Sequence, residues 1–275
     1  MSDRRTVAQW LTAISAELHE VAERPRREAE LLLMEHLGVD QIWLITHQEA
    51  WVENPKKLIE WIGRRRTHEP LEYITNRVSF YSQTFHIEAG ALIPRPETEL
   101  LVDRVLGAAD RDKAVTIAEV GVGSGVVSIV LAQHLPLARI IAVDISEAAL
   151  AVARKNIEAF GLEERIELRH GSLLEPVEEA IDILVSNPPY IAEEAKLEPN
   201  LDYEPALALY GGPVGDEIIR QLLDSVMERE IPLSAFEMGY DQKAKVEAYL
   251  EGSGYRSLEF YKDLAGFDRG FVLKF

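Results

Sequence analysis

Val115-Thr116-Ile117-Ala118-Glu119-Val120-Gly121-Val122-Gly123-Ser124-Gly125 passes from a β-branched, apolar run into three glycines at alternate positions. β-branched residues favour a strand, and glycine admits the positive φ and close backbone approach that a tight strand-to-helix turn needs. Val126 to Leu135 is apolar and reads as the helix that follows. A second strand, Arg139 to Val143, ends at Asp144; Ser146 then caps a helix that runs to Phe160 and stops at Gly161. Further strands are expected at Arg165–Leu168, Ile181–Ser186 and Ser234–Met238, with Ser257–Tyr261 and Phe271–Phe275 completing the sheet. Strands alternating with helices predict an α/β, Rossmann-like, parallel sheet covered on both faces, with right-handed crossovers.

A glycine turn between strand and helix points backbone N–H groups at a ligand. Asp144 lies nineteen residues beyond Gly125 (144 − 125), where a carboxylate can accept both hydroxyls of a ribose. These features fit a nicotinamide dinucleotide or S-adenosylmethionine. The Gly-x-Gly-x-Gly spacing differs from the Gly-x-Gly-x-x-Gly suited to pyrophosphate. Glu119 would repel a pyrophosphate but is expected to help hold the cationic amino-acid end of S-adenosylmethionine. The cofactor expected is therefore S-adenosyl-L-methionine, held by Glu119, Gly121, Val122, Gly123, Ser124, Gly125, Asp144 and Asn187.

The fourth strand leads into Asn187-Pro188-Pro189-Tyr190. Consecutive prolines fix φ and remove two backbone donors, and each restricts the residue before it. The resulting stiff corner offers two acceptors, Asn187 Oδ1 and the Pro188 carbonyl, which together suit an NH2 group. Pro189 and Tyr190 complete the notch, the tyrosine ring packing on a planar amide or base. The seven histidines form no ligand-like cluster; His86, His134 and His170 read as surface or packing residues, and no metal is expected.

Outward from this core, Val7, Trp10, Leu11, Ile14, Leu18 and Val21 recur at helical spacing behind Thr6 as N-cap. Arg26–Leu37 is bracketed by Pro25 and Gly38, and a third clear helix runs from about Pro55 to Arg66. Trp43, Leu44 and Ile45 read as packing between helices, and Arg64-Arg65-Arg66 as cations in a last turn, favourable with the helix dipole. Glu69–Ile74 leads into a β-hairpin formed by Phe80-Tyr81 and Thr84–Ile87. The expected organisation is a helical domain over 1–75, a β-hairpin linker over 76–98 and a cofactor-binding domain over 99–275.

The chain has 275 residues, 47% hydrophobic, with a formal net charge of −18. Ten Lys+Arg stand against thirteen Asp+Glu through residue 75, and nineteen against thirty-four beyond it. An acidic surface repels nucleic-acid phosphates, so no direct nucleic-acid substrate is expected. Cysteine is absent, which excludes disulfides, thiolate metal sites and cysteine nucleophiles and fits a reducing, cytoplasmic setting. Neither a membrane span nor a signal peptide is read from the sequence.

Nearly the whole chain resembles the HemK/PrmC glutamine N5-methyltransferases. The resemblance rests on Ile93-Pro94-Arg95-Pro96-Glu97-Thr98-Glu99, the Gly121–Gly125 turn, Ala142-Val143-Asp144, Ser186-Asn187-Pro188-Pro189-Tyr190-Ile191 and Tyr203-Glu204-Pro205. It implies a class I S-adenosylmethionine-dependent methyltransferase sheet behind a small helical domain that recognises the partner. The implied reaction methylates the amide nitrogen of the glutamine in the GGQ motif of class-1 peptide-chain release factors. Asn187, Pro188 and Tyr190 would then be catalytic, Pro189 would join them on the glutamine, and Ser172 and Leu173 would contact the cofactor. Ser172 stands where the family carries an acidic residue. A monomer is expected. The alternatives are an amino-methyltransferase of nucleic-acid bases, a glutamine methyltransferase of a ribosomal protein, a nicotinamide dehydrogenase and a non-catalytic cofactor-binding scaffold.

Overall fold

A computed structural model describes residues 4–275. The chain divides into two compact units, one running through Arg77 and joined by Glu198–Tyr203, the other comprising Val78–Leu197 and Glu204–Phe275.

The first unit is helical: α1 Val7–Glu17, α2 Pro25–Leu37, α3 Gln41–Thr46, α4 Lys56–Arg65 and α5 Leu71–Thr75. Thr6 caps α1 in a reciprocal capping box with Gln9, and Gly38 ends α2 in the left-handed region. Val7, Trp10, Leu11, Ile14, Leu32, Leu33, Leu58 and Trp61 build its core. One expectation needs correction, and the arginines closing α4, which do stand in its last turn as expected, have a further role. Ile45 is exposed while Leu44 alone of its trio is buried. The arginines closing α4 act as clasps: Arg65 is buried, donating to Glu28 at 2.6 Å and to the Val21 carbonyl at 2.9 Å. Arg64 pairs with Glu69 at 2.5 Å. A returning 3-10 turn, Leu201–Tyr203, belongs to this unit, the Tyr203 hydroxyl donating to the Thr67 carbonyl at 2.7 Å.

A hairpin follows, β1 Arg77–Phe80 and β2 Gln83–His86. Tyr81 and Ser82 turn it with successive positive φ of 51° and 59°, the two-residue geometry that matches strand twist. The hairpin is part of the second unit. Asn156 accepts from the His86 N–H and donates to the His86 carbonyl, and Phe85 packs on Phe160.

The rest is α6 Thr98–Ala108, β3 Thr116–Val120, α7 Val126–His134, β4 Arg139–Asp144, α8 Glu147–Ala159, β5 Ile166–His170, β6 Ile183–Ser186, β7 Ile191–Ala192, α9 Ala206–Leu209, β8 Tyr210–Gly212, α10 Glu217–Glu228, β9 Leu233–Glu237, α11 Lys243–Tyr249, β10 Ser257–Lys262 and β11 Asp268–Lys274. Seven strands form one sheet in the order β10-β11-β9-β6-β3-β4-β5. It is parallel except for β11, which runs antiparallel to both neighbours. From β3 the chain crosses to β4 on one side, while β6 lies on the other. The carboxyl ends of β3 and β6 therefore flank the crevice where open α/β sheets bind ligands.

Candidate active site

One pocket of about 220 Å³ lies at that crevice. Gly121 and Gly123 line it from the turn after β3, Asp144, Ile145 and Ser146 from the end of β4, Ser172 and Leu173 from the segment after β5, and Asn187 and Pro189 from the corner after β6. Gly121 and Gly123 have φ of 77° and 54°, values that a residue with a Cβ adopts only with strain. Residues 90–92, Pro205, Leu207 and Ala208 form a further stretch of its wall. A buried carboxylate fixes that wall: Glu204 accepts from the Ile93 N–H at 3.0 Å and from Arg95 at 2.5 Å.

Asp144 accepts the Gly123 N–H and the Ser146 N–H, each at 2.9 Å, on different oxygens. Burial raises its pKa, and these backbone donors oppose the rise. Each oxygen keeps a lone pair, so the carboxylate can accept from the two hydroxyls of a ribose. Ser172 and Leu173 line the same pocket.

Glu119 is not among the residues that line the pocket. Side chains alternate along a strand, so with Val120 on the pocket, Glu119 turns to the opposite face. There it is buried and accepts a hydrogen bond from Ser128 of α7. Desolvation pushes it up to about 8. Val122, Ser124 and Gly125 serve the turn: Val122 and Ser124 are buried, the Ser124 carbonyl accepts from Asn156 at 2.8 Å, and Gly125 caps α7.

Around Asn187 the structure gathers groups the sequence did not mark as a site. Asn187 Nδ2 donates to Thr98 Oγ1 at 3.1 Å, and Thr98 Oγ1 donates to Glu237 Oε2 at 2.7 Å. One N–H of the amide is thus engaged by Thr98, which turns Oδ1 to the other side. Pro188 is buried, and neither it nor Tyr190 is among the residues that line the pocket. Tyr190 is held by its hydroxyl on Glu237 Oε1 at 3.4 Å and by Gln242, which donates to its carbonyl at 3.2 Å. Burial pushes the Tyr190 hydroxyl up to about 12. Gly211 lets β8 close on the corner, since a Cβ there would stand 2.4 Å from the Pro189 carbonyl oxygen. The run Ile93–Glu99 contains Thr98, and Glu237 is legible in the sequence only as a member of the expected strand Ser234–Met238.

The sequence matches the Methyltransferase small domain family over residues 96–201 and the PrmC N-terminal domain over residues 9–75. Two similar curated proteins are both named release factor glutamine methyltransferase. That of Clostridium acetobutylicum is 37% identical over 252 residues, covering 88% of either chain. That of Moorella thermoacetica is 39% identical over 258 residues, covering 91% of either chain. Among solved structures, the ribosomal protein L11 methylase of Lactobacillus delbrueckii subsp. bulgaricus superposes with a TM-score of 0.51 at 22% identity, covering 68% of this chain and 83% of that one. The hMettl16 catalytic domain in complex with MAT2A 3′UTR hairpin 6 gives 0.57 at 14% identity, covering 70% and 75%. At these identities the structural likeness is one of fold.

Proposed function

We propose a function from one premise: this chain belongs to the family of release factor glutamine methyltransferases. It is an S-adenosylmethionine-dependent enzyme that methylates the side-chain amide nitrogen of a glutamine in a peptide-chain release factor. The glutamine is that of the Gly-Gly-Gln loop of class-1 factors. The observation that carries this reading is the position of Asn187, which lines the same pocket as Gly121, Gly123 and Asp144 with its NH2 end already bonded to Thr98.

S-adenosylmethionine, when bound, supplies a methyl group made electrophilic by its sulfonium. Gly121, Gly123 and Asp144 would hold it, with Ser172 and Leu173 beside the base. The glutamine side of the reaction falls to the corner after β6. An amide nitrogen is a weak nucleophile because its lone pair is delocalised into the carbonyl. Asn187 Oδ1 and the Pro188 carbonyl accept its two N–H bonds, which aims the nitrogen and stabilises the positive charge that grows on it. Pro189 and Tyr190 confine the amide plane. The helical unit, with a core of its own and its own family match, is assigned to recognition of the partner protein.

The test is transfer of a labelled methyl group from S-adenosylmethionine to a release factor, to its loop variant lacking the glutamine, and to RNA. Label is expected on the first alone. Label on RNA and none on the release factor would replace this reading with the nucleic-acid alternative. Asn187→Ala is expected to lower kcat on the order of 10²- to 10³-fold, the scale of losing one preorganised charge-stabilising group. Binding of S-adenosylhomocysteine, measured by calorimetry, should change little.

A further inference from the structure

The chain Asn187–Thr98–Glu237 runs inward from the pocket. Its inner members are almost fully enclosed, Thr98 at 4% and Glu237 at 1% exposure. They come from the first residue of α6 and the last of β9. With Glu237 ionised, the direction of the chain is forced by chemistry. A threonine hydroxyl has one hydrogen, and here it goes to the Glu237 carboxyl at 2.7 Å. Thr98 can then only accept from Asn187, and only the NH2 end of Asn187 can give. Flipping that amide would set its oxygen against a hydroxyl oxygen with no hydrogen left to share.

We propose that Glu237 is a positioning residue of the methyl-transfer site: through Thr98 its carboxylate locks the Asn187 amide with Oδ1 toward the substrate and strengthens that oxygen as an acceptor. Hydrogen bonds in series polarise one another. A carboxylate draws on the Thr98 O–H, the hydroxyl oxygen draws on the Asn187 N–H, and electron density moves toward Oδ1. That oxygen faces the nitrogen on which positive charge develops. The proposal rests on the glutamine-methylation reading and adds to it a group that touches neither substrate nor cofactor.

The role requires Glu237 to be ionised, so activity should follow its titration. The groups facing it are Arg269 of β11, which favours the charged form, and Glu97, which opposes it. The Tyr190 hydroxyl bonds to it, and Tyr261 of β10 lies near with its own hydroxyl given to the Phe236 carbonyl. Burial is the largest influence and pushes Glu237 up to about 7. A carboxyl raised this way is neutral below its pKa and charged above it, so kcat should rise with pH through about 7 and then level.

The experiment compares the full-length wild type with Glu237→Gln, Thr98→Val and Thr98→Ser. It measures kcat and KM on a release factor, S-adenosylhomocysteine affinity, and kcat from acid to mildly alkaline pH. Glu237→Gln keeps the size of the side chain and removes its charge. It should lower kcat on the order of 10- to 100-fold, the worth of one charge-assisted hydrogen bond. It should also abolish the rise near neutral pH while leaving KM and S-adenosylhomocysteine affinity close to wild type. Thr98→Val should reproduce the loss, and Thr98→Ser should recover most of it. Should Glu237→Gln fail to fold, the Val and Ser pair decides. A Glu237→Gln enzyme with the wild-type pH rise, or a Thr98→Ser no better than Thr98→Val, overturns the proposal alone. A wild type inactive on the release factor overturns the functional reading and this inference with it.

Discussion

Glu119 and Glu237 are both buried carboxyls at strand ends, raised by desolvation to about 8 and about 7, yet only one faces the chemistry. Glu119 meets Ser128 under α7, while Glu237 ends the chain of bonds behind Asn187. Their shared cost is legible in stability. A carboxyl held above its ordinary 4.5 binds a proton in the folded protein that the unfolded chain has released. The stability this confers is complete below about pH 4.5 and is lost as pH rises through the folded value. Glu119→Gln, which keeps an acceptor for Ser128, should therefore flatten the fall in unfolding free energy between about pH 5 and 9. Glu237 should leave a smaller slope that ends near 7. Urea denaturation across that range checks it; a variant as pH-sensitive as wild type would remove the assignment of Glu119 as a neutral buried acid. Strand alternation alone sets Glu119 on the face opposite Val120.

At the scale of elements, the corner after β6 is stiff because others close on it. Gln242 donates to the carbonyls of both Tyr190 and Gly215, tying the corner to the segment before α10. Gly211 of β8 passes so near that an added Cβ would stand 2.4 Å from the Pro189 oxygen and 2.5 Å from that of Gly215. Both are backbone atoms and cannot swing aside. Gly211→Ala should thus destabilise the fold by roughly 1–3 kcal/mol, as overpacking does. It should also lower kcat by shifting the corner, which melting and methyl-transfer assays would read together. Wild-type activity in that variant would mean the corner tolerates displacement. The hairpin illustrates a weaker sequence signal. Its Tyr81-Ser82 turn lacks the usual Asn or Gly and is held from outside, Glu99 accepting the Tyr81 N–H at 2.8 Å and Asp103 its hydroxyl at 2.9 Å.

For the molecule as a whole, the charge of −18 is the dominant long-range property. It predicts that affinity for bare RNA will not climb steeply as salt is lowered, because few phosphate counterions would be released. A filter-binding series from 0.2 to 0.05 M salt (about a fourfold range, across which phosphate-contacting proteins change by orders of magnitude) tests it, and a steep slope would favour the nucleic-acid alternative. Among the described residues no helix is long and apolar enough to cross a membrane. The sequence by itself determined the parallel sheet, the glycine turn, Asp144 and the Asn187 corner, because each is written in consecutive residues whose backbone preferences and spacing act locally. Only the tertiary structure decided that Thr98 and Glu237, 89 residues before and 50 after Asn187 (187 − 98; 237 − 187), stand behind it in series. Only it decided, too, that Arg65 is a buried clasp and that Glu198–Tyr203 belongs to the helical unit. A hydrogen bond between distant residues depends on how strands and helices are stacked, and no local preference encodes that.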